Sequence, residues 1–355
     1  MFFPSEFRDL ISGRRRGWRA VLCRGLLRLA EVPYTWAVRW RNHRYDRGHR
    51  SIHHVRVPVV SVGNLTLGGT GKTPLVEWIA KRLRDRQIRL TLISRGYGAT
   101  DDGPNDEARE LAAKLSDVPH LQNADRVAAA HAAIEQHDCQ FILLDDGFQH
   151  RRLARDLDIV LVDALEPFGF GHVFPRGTLR EPLAGLARAD AVVLSRADQI
   201  SSEDRLSIRR QLGRHAGEAI WCEIRHAPRN LLAYSGQIAP LDSLAGQRVA
   251  AFCGIGNPVG FRATLEQCGY HVVALRELPD HHDYPPAEVG RLARWAAEHD
   301  AQAIVCTHKD LVKVATDSRA GLPLWAISIE IEFLTGQEDL QSLLDDVAGK
   351  KALGC

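Results

Sequence analysis

Short apolar runs alternate with amphipathic stretches along nearly the whole chain. Runs of mostly β-branched or Leu residues predict strands at 57–62, 90–93, 141–144, 159–162 and 191–194. Apolar positions recurring on one face predict helices at 74–86 and 124–137. Strands that are apolar on both sides are what a parallel sheet covered on both faces requires, so the alternation predicts a doubly wound α/β sheet. A second series begins near Trp221, with strands predicted at 249–253, 272–275, 304–306 and 324–331 and helices at 260–268, 286–299 and 340–347. No Pro/Gly-rich tract separates the two series, so their boundary is expected within 215–245, and no internal repeat is visible. The expected organisation is a helical N-terminal region (1–50), a larger sheet domain (51–220), a smaller α/β domain (221–335) and a C-terminal helix (336–355) packing back on the larger domain.

The N-terminal region follows a different pattern. Val21, Leu22, Leu26, Leu29 and Ala30 can share a helix face, with Trp18, Tyr34, Trp36 and Trp40 at headgroup level. Arg19, Arg24, Arg28, Glu31 and Arg39 interrupt the stretch, and Pro33 would kink it. Each charge near a bilayer centre costs about 3 kcal/mol, so an interfacial anchor is expected rather than a spanning helix. No secretory leader is expected, because the start lacks an uninterrupted apolar core followed by small residues.

Charge sharpens that picture. The net charge of +2 conceals thirteen Arg against four acids in residues 1–56, an excess of +9 that leaves −7 on the rest. A basic, Trp-containing segment on an acidic body points to a polyanionic surface, phospholipid headgroups or nucleic acid; the alternative is a solvated Arg-rich helix face. The seven cysteines (23, 139, 222, 253, 268, 306, 355) include no C-x-x-C pair, and several sit in apolar runs, which implies buried thiols and a reducing compartment.

The chemistry concentrates in VVSVGNLTLGGTGKTPLVEWIA (59–80). A strand leads into a glycine-rich turn and then a helix. Thr66, Leu67, Gly68, Gly69, Thr70 and Gly71 can curl backbone N–H groups around phosphate oxygens at a helix N-terminus. Lys72 can reach the β/γ-phosphates of ATP, and the Thr73 hydroxyl is suited to Mg²⁺. The strict G-x-x-x-x-G-K-S/T pattern has Thr66 at its first position, while the strand–turn–helix context is intact. FILLDDGFQH (141–150) supplies the acidic partner such a loop needs: Asp145 or Asp146 would hold the metal's hydration shell, although with Gly147 the pair could instead form a turn.

SVGNLTLGGTGKTP (61–74), SRGYG (94–98), DDGFQHRRL (145–153), PRGTLREPL (175–183), GIGNP (254–258) and PDHHDY (279–284) occur in the order seen in tetraacyldisaccharide 4'-kinases, the lipid A 4'-kinases. The chain resembles that family from about Val59 to His308. The resemblance implies a P-loop NTPase-like sheet, a smaller α/β domain that closes over the substrate, and an N-terminal membrane-associated helix. It implies transfer of the ATP γ-phosphate to the 4'-hydroxyl of a tetraacylated glucosamine disaccharide 1-phosphate, at the cytoplasmic face of the bacterial inner membrane. The family's acceptor-activating Asp lies in a Gly-Asp-Glu segment; here the matching stretch is Pro104-Asn105-Asp106-Glu107, which lacks the Gly and maps the base to Asp106. Its partner His maps to His281, and Lys72 completes the implied catalytic set. Glu181 and Arg180 are implied near the Mg²⁺ and phosphates, and Arg95, Arg180, Gln149 and His150 on the substrate side.

Other readings of the same residues stay open. Asp106 could cap a turn, His281, His282 and Asp283 could form a zinc site, His150 could be a packing residue, and Arg95 could cap a strand end or face the substrate phosphate. LSRAD (194–198) and THKD (307–310) are only faint versions of the guanine-reading Asn/Thr-Lys-x-Asp motif. The competing function is a P-loop GTPase or ATPase switch of the metallochaperone type, which would need neither the basic anchor nor PDHHDY. A nucleic-acid binder would leave the P-loop unexplained, so nucleic acid is not expected as a partner, and no obligate protein partner is evident.

Overall fold

The computed structural model describes residues 4–96, 106–279, 282–314, 316, 318–319 and 321–350. The chain divides into two compact units, and the second takes in residues 96–117 together with 226–332. Asp106 is the first residue of a helix in that second unit, but its side chain lies outside the described residues, as does all of His281.

The first unit holds helices α1 (Pro4–Ile11) and α2 (Trp18–Asp46), then β1 (Val59–Asn64), α3 (Lys72–Asp85), β2 (Leu90–Ser94), β3 (His120–Gln122), α5 (Arg126–Gln136), β4 (Phe141–Asp145), β5 (Leu157–Asp163), β6 (Ala191–Ser195) and α6 (Ser202–Ala216). The start of β7 (Ile220–Leu232) and the last helix, α10 (Gln337–Lys350), complete it. Strand order is β7-β6-β5-β1-β4-β2-β3, with the pairings parallel. β1, β2, β4, β5 and β6 are buried at every position, which is why they read as unbroken apolar runs. α5 starts after Asp125, whose carboxylate accepts from the Val127 and Ala128 backbone N–H groups.

α2 runs unbroken through Pro33. Its outward face carries Trp18, Leu22, Leu26, Leu29, Val32, Trp36 and Trp40, all exposed at i+3/i+4 spacing. The opposite face docks through polar groups: the Glu31 carboxylate accepts from the Val173 N–H at 2.8 Å and lies 3.1 Å from His172 Nδ1, and Arg151 donates to the Asn42 carbonyl and to Asp46. The helix is thus amphipathic with its apolar side turned away from the protein. Among the described residues no helix is long and apolar enough to cross a membrane.

The second unit contains α4 (Asp106–Lys114), the end of β7, β8 (Ile238–Ala239), β9 (Arg248–Cys253), α7 (Pro258–Gln267), β10 (His271–Glu277), α8 (Pro286–Glu298), β11 (Ala303–Thr307), α9 (His308–Val314), β12 (Ser318–Arg319) and most of β13 (Leu322–Thr335). Its parallel strands run in the order β10-β9-β11-β13. Phe252, Tyr284, Leu292, Ile304 and Leu324 pack on one face, and Phe261, Leu265, Val249 and Ile327 on the other.

Candidate active site

β1 delivers the chain to the carboxyl edge of the first sheet at Gly63 and Asn64. A Cβ at Gly63 would lie 2.6 Å from Phe148 Cβ, so glycine allows the turn after β4 to close on this strand. The Asn64 side chain donates to Thr70 Oγ1 at 3.1 Å, bracing the loop across its base. Leu67 N donates to the Thr178 carbonyl at 2.7 Å, Arg180 N to the Leu65 carbonyl at 2.7 Å, and Ser195 Oγ to the Thr70 carbonyl at 2.7 Å. Gly68 (φ +109°) and Gly71 (φ +83°) adopt the left-handed backbone the loop needs. A methyl group at Gly68 or Gly69 would meet nothing within 4 Å, so the cradle faces open space at the start of α3. Thr73 occupies the first turn of that helix.

Asp145 ends β4, and Asp146 follows it with φ +55°, a left-handed conformation that aims its side chain back at the loop. Lys72 Nζ is 3.5 Å from Asp146 Oδ1, and Arg180 Nη1 donates to both Asp146 oxygens at 2.8 and 2.7 Å. Burial alone would raise the Asp146 carboxyl, but Lys72 and Arg180 outweigh it and hold the pKa below the usual carboxylate range. Arg126, which no motif singles out, is 4 % exposed; burial lowers its pKa, opposed by Asp146 and Asp145. Its only sequence signal was an arginine amid the apolar residues of a helix's first turn.

Gln149 Nε2 donates to the Asn64 carbonyl at 3.0 Å and to Glu181 Oε1 at 3.1 Å, so it ties the loop to a second hub. Glu181 has no exposed surface and also accepts from Arg188 Nη2 (2.9 and 3.0 Å) and Asn42 Nδ2 (2.8 Å). The expectation that Glu181 serves a metal meets this physical obstacle: its carboxylate is committed to three side chains, and an ion would gain it only by displacing one. Beside it lies a groove of about 460 Å³ lined by Trp36, Arg39, Trp40, Glu181 and Arg188. His150 is pushed down to about 4 by burial and by Arg126, Arg152 and Arg155, so it is neutral at pH 7. Arg95 is exposed just beyond β2.

The structure therefore gathers Lys72, Thr73, Asp145, Asp146, Gln149 and Arg180 around the loop in the first unit, while α4, which opens at Asp106, belongs to the second. Hydroxyl and carboxylate oxygens are the donors a small hard cation takes, and the buried Asn64 Oδ1 has no hydrogen-bond partner among the described residues. The donor set fits Mg²⁺. Among the described residues no group of three or more His, Cys, Asp or Glu forms a metal cluster, and His282 pairs with Glu288 at 2.9 Å instead.

A parallel sheet with a glycine loop opening a helix, and an acidic pair at the end of the neighbouring strand, defines a P-loop phosphotransferase. Residues 23–349 match the model of the tetraacyldisaccharide-1-P 4'-kinase family, and the chain belongs to that family. It is 40 % identical to the tetraacyldisaccharide 4'-kinase of Anaeromyxobacter dehalogenans over 93 % of this chain and 92 % of that one. It is 35 % identical to that of Halothermothrix orenii over 90 % and 91 %. The crystal structure of the "apo" form of LpxK from Aquifex aeolicus in complex with ATP superposes with a TM-score of 0.73 at 28 % identity, covering 92 % of this chain and 99 % of that chain.

Proposed function

We propose that this chain transfers the γ-phosphoryl group of ATP, with Mg²⁺, to the 4'-hydroxyl of a tetraacylated glucosamine disaccharide 1-phosphate at the cytoplasmic face of a bacterial inner membrane. The observation that carries the reading is the open glycine loop facing the Lys72–Asp146–Arg180 array in a chain that matches this kinase family over 23–349. Backbone N–H groups of residues 68–71 bind the phosphates, the Leu67 N–H being taken by the Thr178 carbonyl, and Lys72 offsets the charge that develops as the terminal phosphoryl group departs. Mg²⁺ held by Thr73 and Asp145, with Asp146 within reach, would supply further neutralisation of the phosphate oxygens. Asp106 accepts the proton of the attacking sugar hydroxyl while that oxygen bonds to phosphorus and ADP leaves; His281 orients the pair. Arg180, with Gln149, His150 and Arg95, faces the acceptor.

In this reading residues 1–50 serve the membrane surface. Support comes from the outward apolar stripe of α2 beside a segment with a +9 excess, a combination suited to anionic headgroups over an apolar interior.

The test is transfer of labelled γ-phosphate to detergent-dispersed disaccharide 1-phosphate. Transfer is expected to require Mg²⁺ and to disappear in Lys72→Ala. ATP hydrolysis that proceeds equally with and without acceptor would overturn the assignment in favour of a nucleotide switch.

A further inference from the structure

The turn Thr307-His308-Lys309-Asp310 has a use in the second unit unrelated to base reading. β11 ends at Thr307 and α9 begins at His308. Thr307 Oγ1 donates to Asp310 Oδ2 at 2.6 Å, and Asp310 N donates back to Thr307 Oγ1 at 3.3 Å, which fixes the carboxylate. Asp310 is 1 % exposed and also accepts from Gly254 N, at 3.2 Å to each oxygen, and from the Tyr284 hydroxyl at 2.8 Å. A Cβ at Gly254 would come within 3.1 Å of both Asp310 Oδ1 and the Pro279 carbonyl, so the three segments meet without spare room.

Further bonds hold the described residues at Leu278 and at His282–Tyr284. Leu278 N donates to the Cys253 carbonyl at 2.9 Å on one flank. On the other, Lys313 Nζ donates to the His282 carbonyl at 3.0 Å, and the His282 ring packs edge-on against Tyr284 with centroids 5.1 Å apart. The same turn reaches α4. His308 Nδ1 lies 3.8 Å from Glu110 Oε1, one helical turn beyond Asp106, and Lys114 Nζ is 3.2 Å from the same oxygen. Burial would raise the Glu110 carboxyl, but His308 and Lys114 outweigh it and hold it at about 2. Burying a carboxyl group such as Asp310 is costly where an apolar side chain of similar size would not be, so its use here points to a need for fixed geometry.

We propose that the 307–310 turn is the positioning device of the phosphoryl-transfer step, with Asp310 fixing the segment that carries His281 and His308 fixing the helix that begins at Asp106. The inference rests on the assignment of Asp106 and His281 as the acid–base pair. Neither Asp310 nor His308 touches substrate in it; both act through other residues.

The experiment measures kcat, the KM of each substrate and ATP affinity in full-length variants with detergent-dispersed acceptor. Tyr284→Phe, Thr307→Val and His308→Gln are expected to lower kcat about 10- to 100-fold with ATP affinity within about twofold. Thr307→Ser, which keeps the hydroxyl, is expected to restore turnover. In an Asp106→Ala background Tyr284→Phe is expected to have no further effect. If Asp106→Ala and His281→Ala each leave kcat unchanged, the acid–base assignment falls, and this inference with it. If those two lower kcat while Tyr284→Phe and Thr307→Val do not, the positioning role alone is overturned. It is likewise overturned if kcat and ATP affinity fall in proportion, or if the full effect of Tyr284→Phe persists without Asp106.

Discussion

Glu181→Ala tests the energetics of the hub beside the phosphate loop. The native carboxylate has no exposed surface, two contacts from Arg188 Nη2, and one each from Asn42 and Gln149. Truncation leaves the half-buried Arg188 guanidinium over the Phe148 ring, 4.5 Å from its centroid, without its counter-charge. Removing one partner of a buried ion pair costs about 3–5 kcal/mol. At about 2–4 °C per kcal/mol for a unit of this size, the melting temperature is expected to fall by about 6–20 °C. Arg188→Met in the same chain removes the stranded charge while keeping contact with Phe148, so the double variant is expected to recover about 1–3 kcal/mol relative to additivity. Urea titration followed by tryptophan fluorescence reads both quantities. A loss below about 1 kcal/mol in Glu181→Ala, or a double variant that is simply additive, would refute the view that this pair is a buried electrostatic anchor.

Gly63→Ala places a methyl 2.6 Å from Phe148 Cβ; a destabilisation of about 1–3 kcal/mol is expected by urea titration, with weaker ATP binding as the 146–148 turn shifts. His120 is half-buried beside Ser94 Oγ (2.9 Å), and its desolvation lowers its pKa from 6.5 to about 4. Because its folded pKa lies below the unfolded value, its contribution is intact above about pH 6.5. It is lost at about 1.4 kcal/mol per pH unit as pH falls toward 4, a slope that His120→Gln should remove from a stability–pH series. Leu22→Glu with Leu29→Glu alters residues 57 % and 71 % exposed, so stability should move by no more than about 0.5 kcal/mol per site while flotation with anionic vesicles drops at least about tenfold.

Features with a local chemical signature were legible in the sequence. The glycine loop, Lys72 and the Asp145–Asp146 pair announced themselves because a phosphate cradle needs those residue types within a few positions of a strand end. The fully buried parallel strands did so because both faces must be apolar. What escaped depends on distant partners. Nothing near Glu181 reveals that Asn42, 139 residues earlier, and Arg188 will enclose it. The helix at Asp106–Lys114 follows a turn-like acidic stretch, and its place in the second unit depends on Glu110 meeting His308, almost two hundred residues later. β7 and β13 are far longer than their apolar cores suggest, because part of each carries polar residues on a partly open face.

The end of the chain returns to the unit with which it began. α10 packs Leu340, Leu344 and Val347 inward, Asp345 binds Arg82 of α3 and Arg86 just past its end, and Phe333 meets Trp78 of that helix at 4.9 Å between ring centroids. The helix that opens with Lys72 is therefore buttressed along its far half by α10 and the residues just before it. A chain lacking residues 337–350 would have no such prop for its nucleotide-binding helix, so a competent phosphate cradle requires a segment more than 250 positions downstream of Lys72. C-terminal truncation would thus register first as lost ATP affinity, at the opposite end of the sequence from the cut.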